Sequence, residues 1–437
     1  MNERDSEAAH ALLLGAGLKA ADSEDVADVI IINTCSVRGK AEEKALGKAG
    51  LLVSEIKKSS RERIVGFIGC MSERIGAELI NKVPGISFVV GTHKLHLLPQ
   101  VIQQALVSNS PVIEVGEEKE RINTTEHISG SFSAYVNILL GCNNWCSYCV
   151  VPIVRGKEYS RPAHEIVAEV KKLADSGVKE VTLLGQNVTA YGKANEVFSK
   201  SEKSRMGFTE PLPRLLEEVA NVSGIKRIRF TSSHPEGCTA ELAYAMKNIE
   251  AVCEHIHLPL QSGSNRILHL MKRGYSIEEY VESIARLRDA MPNMAITTDI
   301  IVGFPGETEQ DFQKTREILH NIKFDNIFVF KYSPRPGTLA AKLCDDVPAE
   351  EKMRRNKILL KDQDQIGREI NEKLIGTSQE IMAEGPSLRN RTKWAGRTRT
   401  NKITIFEPHQ AIRQGDIVRI LIKRAMPQTL YGEIIPD

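Results

Sequence analysis

The alternation of apolar and polar residues divides the chain into three stretches. In the first, from Met1 to about residue 126, apolar runs such as VIIINT, IVGFIG and SFVVGT alternate with amphipathic patterns such as AEEKALGKAGLLVSEIKKS. Strands separated by helices predict a parallel α/β sheet. A polar segment without an apolar run, EEKERINTTEHISGS, follows and is typical of a linker. We therefore predict an N-terminal domain over residues 1–126.

The second stretch, residues 132–364, continues this alternation. Its apolar runs, each but the last followed by a helical pattern, are AYVNILLG, EVTLLGQN, RIRFTSS, HIHLPLQS, AITTDIIVG and NIFVFKYS. Six strand-helix repeats predict an open, partial (β/α)6 barrel with its function at the C-terminal ends of the strands. The third stretch, residues 370–437, has the short runs QEIMAEG, KITIFE, DIVRILIKRAM and TLYGEII, and predicts a small closed β-barrel.

Composition and charge narrow the functional classes. With 41% hydrophobic and 26% charged residues among 437, the chain is a folded globular protein. The 58 basic and 56 acidic side chains nearly cancel, so any nucleic-acid site must be local. Eight cysteines are too few for a disulfide scaffold, and no apolar run approaches the roughly 20 residues that span a bilayer. We therefore expect a cytoplasmic protein without a membrane partner.

Cys142, Cys146 and Cys149 lie in GCNNWCSYC, directly after the first predicted barrel strand. A loop at the end of a strand can bring three thiolates to one point. Iron-sulfur cubes normally have four thiolate ligands, so three leave one iron open to a substrate or cofactor. A zinc site and a thioredoxin-like redox pair in WCSYC are the alternatives. A deaminase zinc site does not fit, because no H-x-E partner precedes a P-C-x-x-C.

The spacing C-x-x-x-C-x-x-C with an aromatic residue before the last cysteine resembles the signature of radical S-adenosylmethionine (SAM) enzymes. The longer strings GCNNWCSYCVVPIVRGKEYSRP, VTLLGQNVTAYG, FTSSHP, HIHLPLQSGS, TTDIIVGFPGET and FKYSPRPGT resemble the methylthiotransferases, most closely the MiaB branch, which modifies tRNA. The resemblance covers essentially the whole chain. It implies an N-terminal methylthiotransferase domain, a radical SAM partial barrel and a C-terminal TRAM domain.

The resemblance implies a [4Fe-4S] cluster on Cys142, Cys146 and Cys149, whose open iron binds SAM. An electron from the reduced cluster would cleave SAM and give a 5′-deoxyadenosyl radical, which needs a shielded lumen. No catalytic acid or base is assigned. The resemblance places the following residues at strand ends that face SAM: Tyr148, Gly185, Gln186, Asn187, Ser233, Gln261 and Gly303.

Cys35 and Cys70 each follow a strand of the first domain, so parallel pairing would bring both to one edge of the sheet. Their strings INTC and GCM resemble family motifs that join a third cysteine around a second [4Fe-4S] cluster, which carries sulfur. No cysteine precedes Cys35 in this sequence, and His10 is not expected to replace one. We expect either a start placed too late or a truncated chain that lacks its first strand and one cluster ligand.

The remaining cysteines match no family motif and are interpreted as structural: Cys238, Cys253 and Cys344. A basic segment in the third stretch, LRNRTKWAGRTRTNK, contains no acidic residue. Local positive charge binds phosphates, and an exposed indole or guanidinium can stack on an unpaired base. The alternative is a solvated basic loop. The predicted RNA contacts are Arg389, Arg391, Lys393, Trp394, Arg397, Arg399 and Lys402.

The resemblance implies an enzyme that adds a methylthio group to C2 of N6-isopentenyladenosine at position 37, in the tRNA anticodon stem-loop. One SAM would methylate the sulfur and another would supply the radical, with an external electron donor and a sulfur source as further partners. Two alternatives share the chemistry and act on threonylcarbamoyladenosine in tRNA or on an aspartate of a ribosomal protein. A third is an RNA-binding iron-sulfur protein with impaired catalysis.

Overall fold

The computed structural model describes residues 1–36, 39–58, 61–117, 124–128, 130–199 and 203–435. The N-terminal domain contains a parallel sheet in the order β1-β2-β3-β4. Its strands are β1 (Val29–Asn33), β2 (Ile64–Ile68), β3 (Phe88–Val90) and β4 (Val112–Glu114). The flanking helices are α1 (Asn2–Gly15), α2 (Gly39–Lys58), α3 (Cys70–Ile75), α4 (Glu78–Lys82) and α5 (Leu98–Val107).

Both faces of this sheet are covered by helices. Phe88 and Val90 pack in one apolar cluster with residues of α1 and α5. Phe67 and Val89, which point to the other face, pack with residues of α2, α3 and α4. Burial on both faces explains the nearly continuous apolar runs of these strands. The predicted parallel sheet is confirmed, whereas β4 was not among the predicted strands because its run of three residues is too short to stand out.

The central domain is the predicted partial barrel, and its fold is confirmed. Its parallel strands are β5 (Ser133–Asn137), β8 (Glu180–Leu184), β9 (Arg227–Phe230), β10 (His255–His257), β11 (Ala295–Val302) and β12 (Asn326–Lys331). They pair as β5-β8-β9 and β10-β11-β12, and a parallel bridge between Ile228 and Val252 links the two groups. A short antiparallel pair, β6 (Leu139–Leu140) and β7 (Tyr159–Ser160), follows β5.

Helices connect the barrel strands and cover their outer face, which holds the largest apolar cluster of the described chain. They are α6 (Val151–Arg155), α7 (Ala163–Asp175), α8 (Pro211–Ala220), α9 (Ala240–Asn248), α10 (Asn265–Leu270), α11 (Ile277–Ala290), α12 (Glu309–Ile322) and α13 (Ala349–Glu372). Capping boxes of Ser276 with Glu279 and of Thr308 with Asp311 fix the starts of α11 and α12.

The C-terminal domain is a small closed barrel in the order β13-β14-β15-β17-β16. Its strands are β13 (Ser378–Pro386), β14 (Trp394–Thr398), β15 (Ile403–Phe406), β16 (Ile417–Ala425) and β17 (Thr429–Ile434). The predicted closed barrel is confirmed, and β14 is an additional strand inside the basic segment. Among the described residues, no helix is long and apolar enough to cross a membrane.

Candidate functional site

The three clustered cysteines lie on the loop between β6 and α6. Cys142 and Cys146 are buried, and the Cys149 amide donates a hydrogen bond to the Cys146 carbonyl at 3.0 Å. The loop begins at Gly141, whose φ is +74° and whose Cβ, if present, would lie 2.1 Å from the Lys157 carbonyl oxygen. Only glycine fits this turn, which directs the chain across the end of the barrel.

Two thiols of this loop, those of Cys142 and Cys149, are held protonated by their surroundings. Burial raises the pKa of Cys142 to about 11, and burial together with the charge of Cys146 raises the pKa of Cys149 to about 12. Cysteines ligate metals as thiolates, so binding must displace these protons. In the described chain no three His, Cys, Asp or Glu side chains are arranged to hold one metal ion. The assignment of an iron-sulfur cluster to the three thiols stays a prediction, as does the zinc alternative.

Two of the predicted SAM contacts carry polar atoms without a partner. Gln186 follows β8 and Ser233 follows β9, and the Gln186 Oε1 and Ser233 Oγ atoms are buried without a hydrogen-bond partner in the described chain. Both ring nitrogens of the neighbouring His234 share this state. Buried polar atoms are almost always hydrogen-bonded in proteins. These residues therefore fit a polar cofactor such as SAM.

The backbone is strained at the same strand ends. Gln261 has a φ of +70° and Ser232 a φ of +64°, both in the left-handed region that disfavours these residue types. Strand β11 holds Gln261 in place, because the Gln261 amide donates to the Asp299 carbonyl at 2.8 Å and its carbonyl accepts from the Ile301 amide at 2.9 Å. Such outliers cluster at ligand sites, where the surrounding structure stabilises them.

The remaining predicted SAM contacts have packing roles in this structure. The half-buried Tyr148 ring meets Phe304 edge-on at 6.5 Å between centroids. Gly303 has a φ of +69°, and a Cβ there would lie 2.3 Å from the Lys352 Cγ atom. Gly185 is buried directly after β8, and the Asn187 Oδ1 atom accepts a hydrogen bond from Thr189. Their role in binding SAM stays a prediction.

The structure adds Arg273 to this site, a residue that the sequence interpretation missed. Its Nη1 atom lies 3.3 Å from the Cys146 Sγ atom, and its Nε atom donates to the Tyr275 hydroxyl at 3.1 Å. Burial and the Arg273 charge lower the pKa of His234 to about 3, so that imidazole is neutral. Arg273 is 127 residues from Cys146 in sequence, and no local motif connects the two.

Cys35 and Cys70 lie at the C-terminal ends of β1 and β2, at the predicted sheet edge. Cys70 begins α3, and burial together with the nearby Asp5 and Cys35 raises the pKa of its thiol, while Arg155 opposes this shift. The Arg155 Nε atom donates to the Cys70 Sγ atom at 3.3 Å, and the guanidinium forms a buried ion pair with Asp5. His10 is exposed on α1.

The two cysteine sites are adjacent in the fold. Val150 directly follows Cys149, and it packs with Val154 and Cys70 in one buried apolar cluster. The Thr92 hydroxyl also donates to the Val154 carbonyl at 2.6 Å. Helix α6 thus lies between the cysteine loop of the barrel and the Cys70 edge of the N-terminal sheet. The other cysteines lie elsewhere: Cys238 and Cys253 are buried, and Cys344 is exposed.

Part of the basic segment contacts the partial barrel. Its hairpin of β14 and β15 turns at the N-terminal ends of the barrel strands, opposite the cysteine loop. Arg399 donates to the Glu254 carboxylate at 2.8 Å, and Lys402 pairs with Asp325 at 2.5 Å. These carboxylates precede β10 and β12. Arg399 and Lys402 therefore attach the small barrel to the partial barrel, a role that the sequence interpretation did not foresee.

Strand β9 contributes cations to the same contact. Because Ile228 and Phe230 pack in the cluster that includes the helices, the alternating Arg227 and Arg229 face the lumen. Arg229 donates to the carbonyls of Thr398 and Arg399 at 2.9 Å, and Arg227 donates to the Arg397 carbonyl at 2.8 Å. The hairpin turn thus covers the N-terminal opening of the partial barrel.

The other residues of the basic segment differ in exposure. Arg389 and Arg391 are exposed in the turn between β13 and β14, whereas Lys393 pairs with Glu407 at 2.8 Å. The half-buried Trp394 packs against the core of the small barrel. Arg397 pairs with Glu384 at 2.9 Å. RNA binding by the segment stays a prediction, and Arg389 and Arg391 are its exposed arginines within the described chain.

Comparison with known families reproduces this division of the chain. Residues 136–319 match the Radical SAM superfamily, residues 372–435 match the TRAM domain, and residues 1–91 match the Uncharacterized protein family UPF0004. Each range lies inside one of the three predicted domains, whose limits stay predictions. Among solved structures, the chain resembles the radical S-adenosylmethionine methyltransferase TsrM from Kitasatospora setae, which was solved with tryptophan and a SAM analogue bound. The TM-score is 0.55 at 13% identity, and the match covers 88% of this chain and 72% of that one. This likeness shows the fold.

Curated relatives match over the full length. The tRNA-2-methylthio-N(6)-dimethylallyladenosine synthase of Syntrophomonas wolfei is 44% identical over 100% of this chain and 96% of its own length. The protein of that name from Moorella thermoacetica is 43% identical over 100% of this chain and 96% of its own. The chain therefore belongs to the radical SAM methylthiotransferases, in the family of the tRNA-2-methylthio-N(6)-dimethylallyladenosine synthases.

Proposed function

We propose that this protein adds a methylthio group to C2 of N6-isopentenyladenosine at position 37 of tRNA. The observation that carries the proposal is the loop with Cys142, Cys146 and Cys149 at one end of a partial barrel, beside a second cysteine pair. The names of the full-length relatives support the substrate. A base in the anticodon loop can be turned into a pocket at far lower cost than a base in a duplex.

The cysteine loop would hold a [4Fe-4S] cluster with one iron open to SAM. With SAM bound, this group supplies one-electron chemistry that yields a radical able to react at unactivated carbon. The chain's own residues bind and shield: Gln186 and Ser233 offer unpaired polar atoms to SAM, and the barrel wall excludes competing reactants. An external electron donor and a sulfur source complete the reaction.

We propose that Cys35 and Cys70 hold the second iron-sulfur cluster, as the carrier of sulfur. The fit rests on chemistry and placement, because both thiols lie at one sheet edge and Arg155 offers an N–H donor to Cys70. Hydrogen bonds to the sulfurs of an iron-sulfur cluster help to set its reduction potential. The packing of Val150 and Val154 on Cys70 keeps this pair next to the loop that binds SAM.

The test is anaerobic reconstitution with iron and sulfide, followed by reaction with SAM, dithionite and tRNA that carries N6-isopentenyladenosine. We expect 5′-deoxyadenosine and 2-methylthio product, both measured by mass spectrometry. Replacing Cys142, Cys146 and Cys149 by alanine should abolish both products. Cys253→Ala, a buried cysteine outside both sites, is the matched control. Activity of the triple variant would contradict the radical SAM assignment.

Substrate choice needs parallel reactions. tRNA with threonylcarbamoyladenosine and the ribosomal protein are offered under the same conditions. Methylthiolation of either one, without reaction of N6-isopentenyladenosine, would replace the proposed substrate. SAM cleavage without any methylthio product would instead support the interpretation as an iron-sulfur protein with impaired catalysis.

A further inference from the structure

Arg273 is a buried cation that pairs with no carboxylate of the described residues. Its guanidinium contacts the Tyr275 hydroxyl, the Pro259 carbonyl and the Cys146 Sγ atom, at 3.1, 3.4 and 3.3 Å. The side chain is buried beside the cysteine loop. Removing a charge from water is unfavourable unless an opposite charge compensates it. We therefore expect the negative charge that compensates Arg273 to lie at Cys146 or at the group bound to it.

The other buried arginines of the described chain provide an internal comparison. Each of them forms an ion pair with a carboxylate: Arg4 with Glu7, Arg155 with Asp5, Arg161 with Glu169, Arg227 with Glu380, Arg229 with Glu180 and Arg355 with Glu307. Among the described residues Arg273 has no such pair, and its side-chain contacts are the Tyr275 hydroxyl, the Pro259 carbonyl and the Cys146 Sγ atom. Arg273 therefore differs from every other buried arginine there in that a thiol takes the place of the carboxylate.

We propose that Arg273 is a positioning residue whose fixed positive charge compensates the cluster on Cys146 and stabilises its reduced state. The inference rests on the proposed function, because it requires that cluster. Reduction adds one negative charge, so a cation that donates an N–H to a ligand sulfur favours the reduced form and raises the reduction potential. Arg155 makes the same kind of contact to Cys70, but Asp5 neutralises its charge. The two cysteine sites thus differ in net charge.

Among the neighbours of Arg273, His234 adds no second positive charge and Tyr275 does not neutralise the guanidinium. His234, whose ring lies 5.3 Å from the Tyr275 ring, stays neutral and adds no second cation. The Arg273 guanidinium lies 5.1 Å from the centre of the Tyr275 ring, which favours a cation over its face. The site thereby holds a cation in place without neutralising it.

The test is an EPR-monitored redox titration of reconstituted protein. A Cys35→Ala, Cys70→Ala background removes the second site, so that only the loop cluster is titrated. For Arg273→Gln we expect reduction to be at least tenfold less favourable, a midpoint lower by about 59 mV for one electron. Arg273→Lys keeps the charge and should titrate near the wild-type midpoint. The matched control is Arg286→Gln on α11, whose arginine contacts Glu282 and the Cys238 carbonyl.

An Arg273→Gln variant with full iron content and an unchanged midpoint would overturn the inference while leaving the proposed function intact. If Arg273→Gln takes up no iron, Arg273→Lys decides. Recovery of iron and of the midpoint in the lysine variant supports the role of charge, and failure of both variants overturns it. A wild-type protein without an iron-sulfur EPR signal would overturn the cluster assignment itself, and with it the inference.

Discussion

Arg155 Nε lies 3.3 Å from Cys70 Sγ, across the boundary between the partial barrel and the N-terminal sheet. Arg155 is the last residue of α6, the helix that begins two residues after Cys149. A single side chain therefore connects the loop that would bind SAM to the edge that would carry sulfur. The ion pair with Asp5 of α1 fixes the guanidinium in this position.

Loss of this contact should separate SAM cleavage from sulfur insertion. We expect Arg155→Gln to lower the 2-methylthio product per 5′-deoxyadenosine by tenfold or more, the factor that corresponds to about 1.4 kcal/mol. Arg155→Lys keeps the charge, so its ratio of 2-methylthio product to 5′-deoxyadenosine should lie between those of wild type and Arg155→Gln. Both products are measured by mass spectrometry in one reaction. An unchanged ratio in Arg155→Gln would mean that the contact has no part in sulfur insertion.

Gln261 provides a test of backbone strain at the site. Because its φ is +70°, glycine should suit the backbone better than alanine, the reverse of the order in a helix. We expect Gln261→Gly to be more stable than Gln261→Ala by about 1 kcal/mol, measured by urea unfolding. Both variants should bind SAM more weakly than wild type. A more stable alanine variant would show that the positive φ is not retained in solution.

How much the sequence predicts depends on the distance over which residues act. The cysteine loop was predictable because its thiols lie within eight residues, and the alternating runs predicted all three folds. Arg273 and Arg155 could not be found in this way, because they meet Cys146 and Cys70 from 127 and 85 residues away. Long-range contacts of this kind leave no periodic pattern.

The basic segment shows a different limit. A run of cations with a tryptophan predicts a nucleic-acid surface, but composition alone does not reveal whether the cations pair with carboxylates elsewhere in the fold. Glu254 forms such a pair with Arg399, and Asp325 forms one with Lys402. Strand β14 was overlooked for a related reason, since Gly396 and Arg397 interrupt the apolar alternation on which strand prediction depends.

His127 should make the contact between the first two domains dependent on pH. Its ring nitrogens lie 3.1 Å from Glu7 and 2.8 Å from Glu169. Burial disfavours the imidazolium, but the hydrogen bonds that Glu169 and Glu7 accept from the His127 ring outweigh burial and raise its pKa. The same carboxylates also form ion pairs with Arg4 and Arg161.

A raised pKa for a histidine means that its stabilising effect is complete below its unfolded pKa of about 6.5 and is lost as pH rises through the folded value. We therefore expect the urea midpoint of wild type to fall as pH rises above 6.5. His127→Gln should lack this part of the pH dependence. His164→Gln, on the half of α7 that precedes Glu169, serves as the histidine control. Parallel pH profiles for wild type and His127→Gln would contradict this role.

Arg399 and Arg391 should separate the two roles assigned to the basic segment. Arg399 makes hydrogen bonds to the Glu254 carboxylate and to the carbonyls of Glu250 and Val252. Because these contacts hold the two barrels together, Arg399→Ala should speed proteolytic release of the small barrel tenfold or more. The salt dependence of tRNA binding should stay unchanged. Arg391 is exposed, so Arg391→Ala should leave the rate of proteolytic release unchanged. It should instead reduce the log-log salt slope of tRNA binding by somewhat under one unit per lost phosphate contact. Filter binding at several salt concentrations and timed trypsin digestion measure the two effects. A reduced salt slope for Arg399→Ala with unchanged proteolysis would show that Arg399 contacts RNA and does not hold the two barrels together.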